Sequence, residues 1–276
     1  ALPLKLGVSA ALAAKGLSLL SGLFALLFLW SFARDLGGPR VALAASVFFV
    51  LEPWTAVLAV SGMEVHAASA AALGAVLAAS RGRWWLAGGA AAAAGLLRPE
   101  LGLLAPILMI CGQTPRARLA VLVPPGIAGG AWMLYGLLVS SHPLPNAFRT
   151  KVNAGFDLPG QLAAMGGFYS AAARELGLFG LFLTLFACGL VLLGFLCGGP
   201  RRRVLLLVGM LPAGILVFYL LALPLGASAD PLTAASIQSI YFARYLLVVQ
   251  PFLILLGVLG AMWLDAQARS WGRGGQ

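Results

Sequence analysis

Residues 81–118 read RGRWWLAGGAAAAAGLLRPELGLLAPILMICGQTPRAR, and their pattern of apolar runs and charged residues is the most informative about the class of fold. Two apolar segments, 84–97 and 101–112, flank the tripeptide Arg98-Pro99-Glu100. Arg81 and Arg83 precede the first segment, and Arg116 and Arg118 follow the second. A helix that crosses a bilayer needs roughly 20 apolar residues, so both segments are short for a full crossing. We therefore predict helices that are tilted, re-entrant or buried among other membrane helices.

The composition excludes an ordinary soluble enzyme. Of the 276 residues, 61% are hydrophobic and only 9% are charged, whereas a soluble domain has about 25% charged residues. The net charge of +10 does not indicate nucleic-acid binding, because the basic residues form short clusters between apolar runs. Three cysteines, Cys111, Cys188 and Cys197, lie inside apolar segments and have neither disulfide nor zinc spacing.

Nine apolar segments have the character of membrane helices. They are residues 16–33, 41–60, 64–80, 84–97, 101–112, 119–139, 176–198, 204–223 and 245–264. We predict an all-α integral membrane protein with about nine transmembrane or re-entrant helices, a single polytopic domain over residues 1–276, and an extracytoplasmic loop around 140–175. The GxxxG spacing of Gly126 and Gly130 predicts close helix packing.

Charge divides the connections between these segments into two classes. One set of alternate connections carries eleven basic and two acidic residues, and the other carries five basic and six acidic residues. Because basic loops stay in the cytoplasm, we expect the first set and the C-terminus to be cytoplasmic. The acid-bearing connections, including residues 140–175, then face the extracytoplasmic side, where we expect any chemistry.

Two polar clusters lie on that predicted outer side. Ser61 to Glu64 fits a capping box before an apolar run, while Glu52 and His66 at a similar depth favour a binding site. Arg98-Pro99-Glu100 fits a helix restart, in which Arg98 pairs with Glu100 or Glu64. Charges between two short membrane segments are costly, however, and usually have a function.

The long outer loop and the last segment supply further cations. In residues 142–151, HPLPNAFRTK, the prolines favour an extended chain, and Arg149 and Lys151 could attract lipid headgroups or clamp a lipid phosphate. Arg244, between aromatic residues, could extend to the interface or bind a phosphate. No phosphate-binding loop, HExxH motif or nucleophile elbow occurs in the sequence.

The order of these motifs resembles that of polytopic GT-C type glycosyltransferases, above all the bacterial group that includes mycobacterial terminal arabinofuranosyltransferases. Residues 61–65 correspond to Ser-Gly-Met-Glu-Thr, 98–101 to Arg-Pro-Glu-Gly, 144–151 to Leu-Pro-Asn-x-Phe-x-x-Lys, and 244–246 to Arg-Tyr-Leu. Val65 and Leu101 depart from these motifs, and Pro251 departs from the usual spacing. The resemblance extends over nearly the whole chain.

The resemblance implies inverting transfer of a sugar from a polyprenyl-phosphate carrier to a glycan, lipid or protein acceptor. The family carries its catalytic acids in a first outer loop, which would precede Ala1, so we expect a truncated chain that holds no catalytic residue and is inactive alone. Lys151, Arg98 and Arg244 are then expected at the leaving phosphate. Glu64, Glu100 and Asn146 are expected to bind sugar or hold those cations. A requirement for a divalent metal stays undetermined, and the implied location is a bacterial cytoplasmic membrane.

Two other classes of function compete with the transferase. A transporter or a flippase for lipid-linked sugars would share the apolar segments, but transporters often have two halves with matching broken helices. Only the region around Arg98 is interrupted in this way, and the sequence has no internal repeat. A non-catalytic membrane scaffold would not need charged residues from four separate outer connections.

Overall fold

The computed structural model describes residues 9–52, 55–56, 59, 64–142, 192, 209–215 and 248–273. In these residues every regular element is a helix, which confirms the predicted all-α class. The helices are α1 (Ala10–Leu51), α2 (Val65–Ser80), α3 (Trp84–Leu97), a 3-10 helix (Pro99–Leu103), α4 (Leu104–Cys111), α5 (Pro115–Ser140) and α6 (Gln250–Arg273).

Helix α1 is a hairpin of two helical arms rather than one rod. Gly38 interrupts it with φ of 83°, a left-handed conformation that favours glycine. The ring of His66 contacts Phe49, with 6.4 Å between ring centroids, and a Cβ placed on Gly22 would lie 3.7 Å from the same ring. A straight helix would separate positions 22 and 49 by about 40 Å. The chain therefore turns back at Gly38, in agreement with the separate predicted segments 16–33 and 41–60.

The contacts of α2 fix its direction relative to the first arm of α1. Phe28 lies against Gly74, where an added Cβ would be 3.3 Å from the phenyl ring. Further along both helices, Arg81 Nε donates to Asp35 Oδ2 at 2.9 Å. The first arm and α2 therefore run parallel, and the second arm, which follows the turn at Gly38, runs in the opposite direction.

Helix α3 and the segment after it form a second hairpin. The 14 residues of α3 extend about 21 Å, and the 3-10 helix and α4 together return about the same distance. The predicted segment 101–112 thus begins inside the 3-10 helix and ends one residue beyond α4. Both limbs are shorter than the bilayer core of about 30 Å.

Packing between α3 and α5 depends on Gly88. A Cβ at this position would lie 2.3 Å from the carbonyl oxygen of Ala120, so only glycine permits the observed approach. The predicted packing role of Gly126 and Gly130 stays a prediction, because among the described residues an added Cβ at either would meet nothing within 4 Å. The neighbouring Ile127 is 68% exposed.

Within the part of the chain that the structure describes, three helices are long and apolar enough to cross a membrane, namely Ala10–Leu51, Pro115–Ser140 and Gln250–Ser270. Many large apolar side chains point outwards, including Leu138 at 78% exposure and Ile127 at 68%. A continuous apolar surface of this kind is unfavourable in water and suits contact with lipid. These features support a membrane protein.

The expected count of nine helices is not reproduced by the described residues, which contain six α-helices and one 3-10 helix. Two predicted segments, 16–33 and 41–60, correspond to the two arms of α1 on either side of Gly38. Segment 176–198 and most of 204–223 lie outside the described residues, apart from residue 192 and a helical stretch at 209–215.

Candidate functional site

Arg98 is placed by the break between α3 and the 3-10 helix. The residue before a proline is disfavoured in the helical region, and Arg98 is extended, with φ of −145° and ψ of 112°. Pro99 begins the 3-10 helix and Glu100 lies in its first turn, as the helix-restart interpretation predicts. This backbone conformation directs the guanidinium of Arg98 into the protein, where its side chain is only 4% exposed.

Two carboxylates bind this guanidinium. Arg98 Nη2 lies 3.1 Å from Glu64 Oε1, and Arg98 Nη1 lies 3.1 Å from Glu100 Oε1. The sequence predicts either Glu64 or Glu100 as the partner of Arg98, and in the structure both carboxylates contact it. We call these three residues the Arg98 cluster.

The members of the Arg98 cluster differ in their exposure. The side chain of Glu64 is 36% exposed, whereas that of Glu100 is 11% exposed. With all three groups ionised, the cluster carries one net negative charge. A hydroxyl-bearing ligand can therefore reach Glu64 and donate hydrogen bonds to it, while a phosphate approaching Arg98 meets two carboxylates.

The Arg98 cluster lies at the end of two short helices, α2 and α3, and the neighbouring helix α5 is longer than both. Helix α3 separates Arg98 from Arg83 by about 21 Å, and α2 extends about 24 Å from Glu64 to Arg81. Helix α5 starts near Arg83 and its 26 residues extend about 39 Å. The cluster thus lies at the tip of short helices beside a longer one.

For the capping-box alternative from Ser61 to Glu64, only Glu64 belongs to the described residues. Helix α2 begins at Val65, so Glu64 occupies the N-cap position and not the third helical position that a capping box requires. Its side chain makes no capping hydrogen bond and instead accepts from Arg98. Ser61 lies outside the described residues.

Glu52 and His66 do not join the Arg98 cluster. Glu52 Oε2 accepts from the backbone N–H of Thr55 at 2.7 Å and so closes the turn after α1. His66 is 3% exposed and packs against Phe49, and its buried Nδ1 has no hydrogen-bond partner among the described residues. The sequence analysis did not predict the turn between Glu52 and Thr55 or the contact of His66 with Gly22. The turn could have been predicted, because Thr55 places a hydroxyl three residues after Glu52.

Three predicted site residues, Asn146, Lys151 and Arg244, lie outside the described residues. The chain just after Arg244 is nevertheless anchored, because Ser69 Oγ donates to the carbonyl oxygen of Val248 at 3.2 Å. Ser69 is about one helical turn beyond the start of α2, and Val248 is four residues after Arg244. No group of three potential metal-ligating side chains occurs in the described part of the chain.

No protein-family model matches the chain, and no match was found among curated proteins or solved structures.

Proposed function

We propose that this chain is the membrane-embedded part of a glycosyltransferase that takes a sugar from a polyprenyl-phosphate carrier on the extracytoplasmic face of a bacterial membrane. The observation that carries the proposal is the Arg98 cluster, a buried arginine held by Glu64 and Glu100 at the tip of helices too short to cross a bilayer. Buried charges at membrane depth are costly and mark binding or transport sites. The GT-C resemblance then favours a lipid-linked sugar as the ligand.

In this proposal Arg98 is a positioning residue. It holds Glu64 at the surface of the cluster, where the exposed part of the carboxylate accepts hydrogen bonds from sugar hydroxyls. Glu100, which is more deeply buried, forms an ion pair with the other edge of the guanidinium, at Nη1. The expected role of Arg98 at the leaving phosphate is therefore reassigned, because phosphate there would lie beside both carboxylates.

The phosphate is assigned to Lys151 and Arg244, and the sugar also to Asn146. Arg244 precedes Val248 by four residues in the sequence, and the carbonyl oxygen of Val248 accepts from Ser69 Oγ near the start of α2. Cations near the departing phosphate stabilise the negative charge that develops there.

The transfer itself is an inverting displacement. The acceptor oxygen attacks the anomeric carbon, the bond from that carbon to the phosphate oxygen breaks, and the lipid phosphate leaves with the bonding electrons. The proton of the acceptor hydroxyl passes to a carboxylate that acts as general base. No residue of this chain is assigned to that step, and no step is assigned to a metal.

Donor binding can be tested without turnover. The protein in membrane vesicles is irradiated with a photoreactive polyprenyl-phosphate sugar, and the labelled peptides are mapped. We expect Glu64→Gln to reduce labelling about tenfold, because a hydrogen bond to a charged group contributes about 1.5–3 kcal/mol. Arg81→Gln is the matched control, since Arg81 also forms an ion pair, with Asp35, at the opposite end of α2.

Equal labelling of the wild-type protein and the Glu64→Gln variant would contradict the proposed sugar contact. Labelling confined to peptides at the Arg81 end of the helices would contradict the proposed location of the site.

A further inference from the structure

A second polar feature lies at the opposite end of α3 from the Arg98 cluster. It is a cavity of about 460 Å³ between the start of α3 and the start of α5. Arg83, Trp84 and Trp85 line one side, and Thr114 and Arg116 line the other. We call it the Arg83–Arg116 groove.

The two arginines of this groove are exposed. Neither side chain forms a hydrogen bond or ion pair with another described residue, and no Asp or Glu is among the described residues that line the groove. Other arginines do have partners within the described residues: Arg81 pairs with Asp35 and Arg269 pairs with Asp265.

The start of α3 adds to the positive character of the groove. Arg83 occupies the N-cap position, but no side chain there accepts a hydrogen bond from the first turn of α3. By contrast, α5 is capped by Thr114, whose hydroxyl accepts from the N–H of Ala117 at 3.1 Å. Free N–H groups and the helix dipole at an uncapped N-terminus favour an anion.

The surroundings of the groove favour a lipid over a soluble anion. Trp85 is 64% exposed, and Leu86 and Leu119 beside the groove are 60% and 59% exposed. Tryptophan is enriched at the level of the lipid headgroups, and exposed leucine suits contact with acyl chains. Basic pockets between membrane helices are a recurring site for anionic headgroups.

We propose that the Arg83–Arg116 groove binds the phosphate of one anionic phospholipid, with Arg83 and Arg116 at the headgroup and Trp85 and Leu86 against its acyl region. The groove lies about 21 Å from Arg98 along α3, so it is separate from the proposed sugar-donor site. The inference requires that the chain lies in a membrane and does not depend on the transferase function.

The test is native mass spectrometry of the full chain, released from detergent with added phosphatidylglycerol or with zwitterionic phosphatidylethanolamine. We expect phosphatidylglycerol to be retained in preference. The double variant Arg83→Gln/Arg116→Gln should weaken its binding about thirtyfold, since each basic residue near an anionic headgroup accounts for about fivefold. Arg83→Lys/Arg116→Lys, which keeps both charges, should bind within about threefold of the wild type.

Arg34→Gln is the matched control, because Arg34 is also exposed and lies outside the groove, in the first arm of α1 about one helical turn before Gly38. An equal loss of lipid in Arg34→Gln would show a general charge effect and overturn the proposal, as would undiminished binding by the double Gln variant. Complete displacement of the lipid by excess inorganic phosphate would assign the groove to a soluble anion and also overturn it.

Discussion

Arg98 owes its place to local chemistry that the sequence already contains. Pro99 forces the preceding residue out of the helical region, so α3 ends and the arginine side chain turns inwards. Pairing with Glu100, two residues away, could be anticipated from the tripeptide alone. Pairing with Glu64 depends on the packing of α2 against α3, so the sequence could offer it only as an alternative.

Removing the charge of Arg98 should destabilise the protein. In Arg98→Gln, Glu100 stays buried without its cation, and loss of one partner of a buried ion pair costs about 3 kcal/mol or more. Thermal unfolding of the purified protein in detergent measures this loss. We expect a lower unfolding temperature than for the matched control Arg81→Gln, whose ion pair is about 40% exposed.

A triple variant checks that the loss comes from the uncompensated carboxylates. Arg98→Met with Glu64→Gln and Glu100→Gln removes all three charges together and should recover most of the stability. If the triple variant were as unstable as Arg98→Gln, the charge balance of the cluster would not be the cause.

At the level of the helices, the α3–α5 contact depends on one missing Cβ. Gly88→Ala would place a methyl group 2.3 Å from the Ala120 carbonyl oxygen and push the helices apart, at a cost of about 1–3 kcal/mol. Gly89→Ala is a control on the same helix, because its Cβ would meet nothing within 4 Å. Unfolding temperatures should fall for Gly88→Ala and stay equal or rise for Gly89→Ala. Equal falls in the two variants would contradict the described packing.

The hairpin form of α1 can be measured as a distance. Leu23 and Val50 are both about half exposed and accept spin labels without loss of core packing. Because positions 22 and 49 both contact His66, we expect a label separation well below the roughly 40 Å of a continuous helix. Pulsed electron resonance of Leu23→Cys/Val50→Cys, with the native cysteines replaced, gives this separation. A distance near 40 Å would show an unbroken rod.

The extents of the helices show what hydropathy can and cannot predict. Helix α3 matches the predicted segment 84–97 at both ends, because Arg83 and Arg98-Pro99 interrupt the apolar run. Helix α6 was predicted as 245–264 but is Gln250–Arg273, since its last two turns are polar and carry the i,i+4 pair of Asp265 and Arg269. Apolar length cannot detect such an extension. The sequence likewise could not predict the close contact at Gly88, because its partner Ala120 lies on another helix.

Over the whole molecule, the described contacts separate two sets of charges. Asp35 pairs with Arg81, Arg83 shares a groove with Arg116, and Asp265 is within electrostatic reach of Arg40, all at one end of the helices. The Arg98 cluster lies at the other end. Alternation of the charged connections predicts a topology with two such faces, and both this topology and the orientation in the membrane stay predictions.

Labelling with a membrane-impermeant maleimide tests that orientation. Gln113 and His142 are both exposed and lie beyond opposite ends of α5. In a chain without its native cysteines, His142→Cys should react in intact cells, and Gln113→Cys should react only after the membrane is permeabilised. The reverse pattern would place the Arg98 cluster on the cytoplasmic side and remove the basis for an extracytoplasmic donor site.

We propose that the sugar of a lipid-linked donor bound near Arg98 is transferred to an acceptor and is not merely moved across the membrane with its lipid. The decisive measurement uses the product of the complete gene in vesicles, with a polyprenyl-phosphate sugar labelled on the sugar and an extracted cell-envelope acceptor. We predict that the label appears on the acceptor while polyprenyl phosphate is released in equal amount, and that Glu64→Gln reduces both at least tenfold, in keeping with the loss of a hydrogen bond to a charged group. Recovery of the label on the opposite leaflet, still joined to its lipid phosphate, would contradict the transferase and identify a flippase.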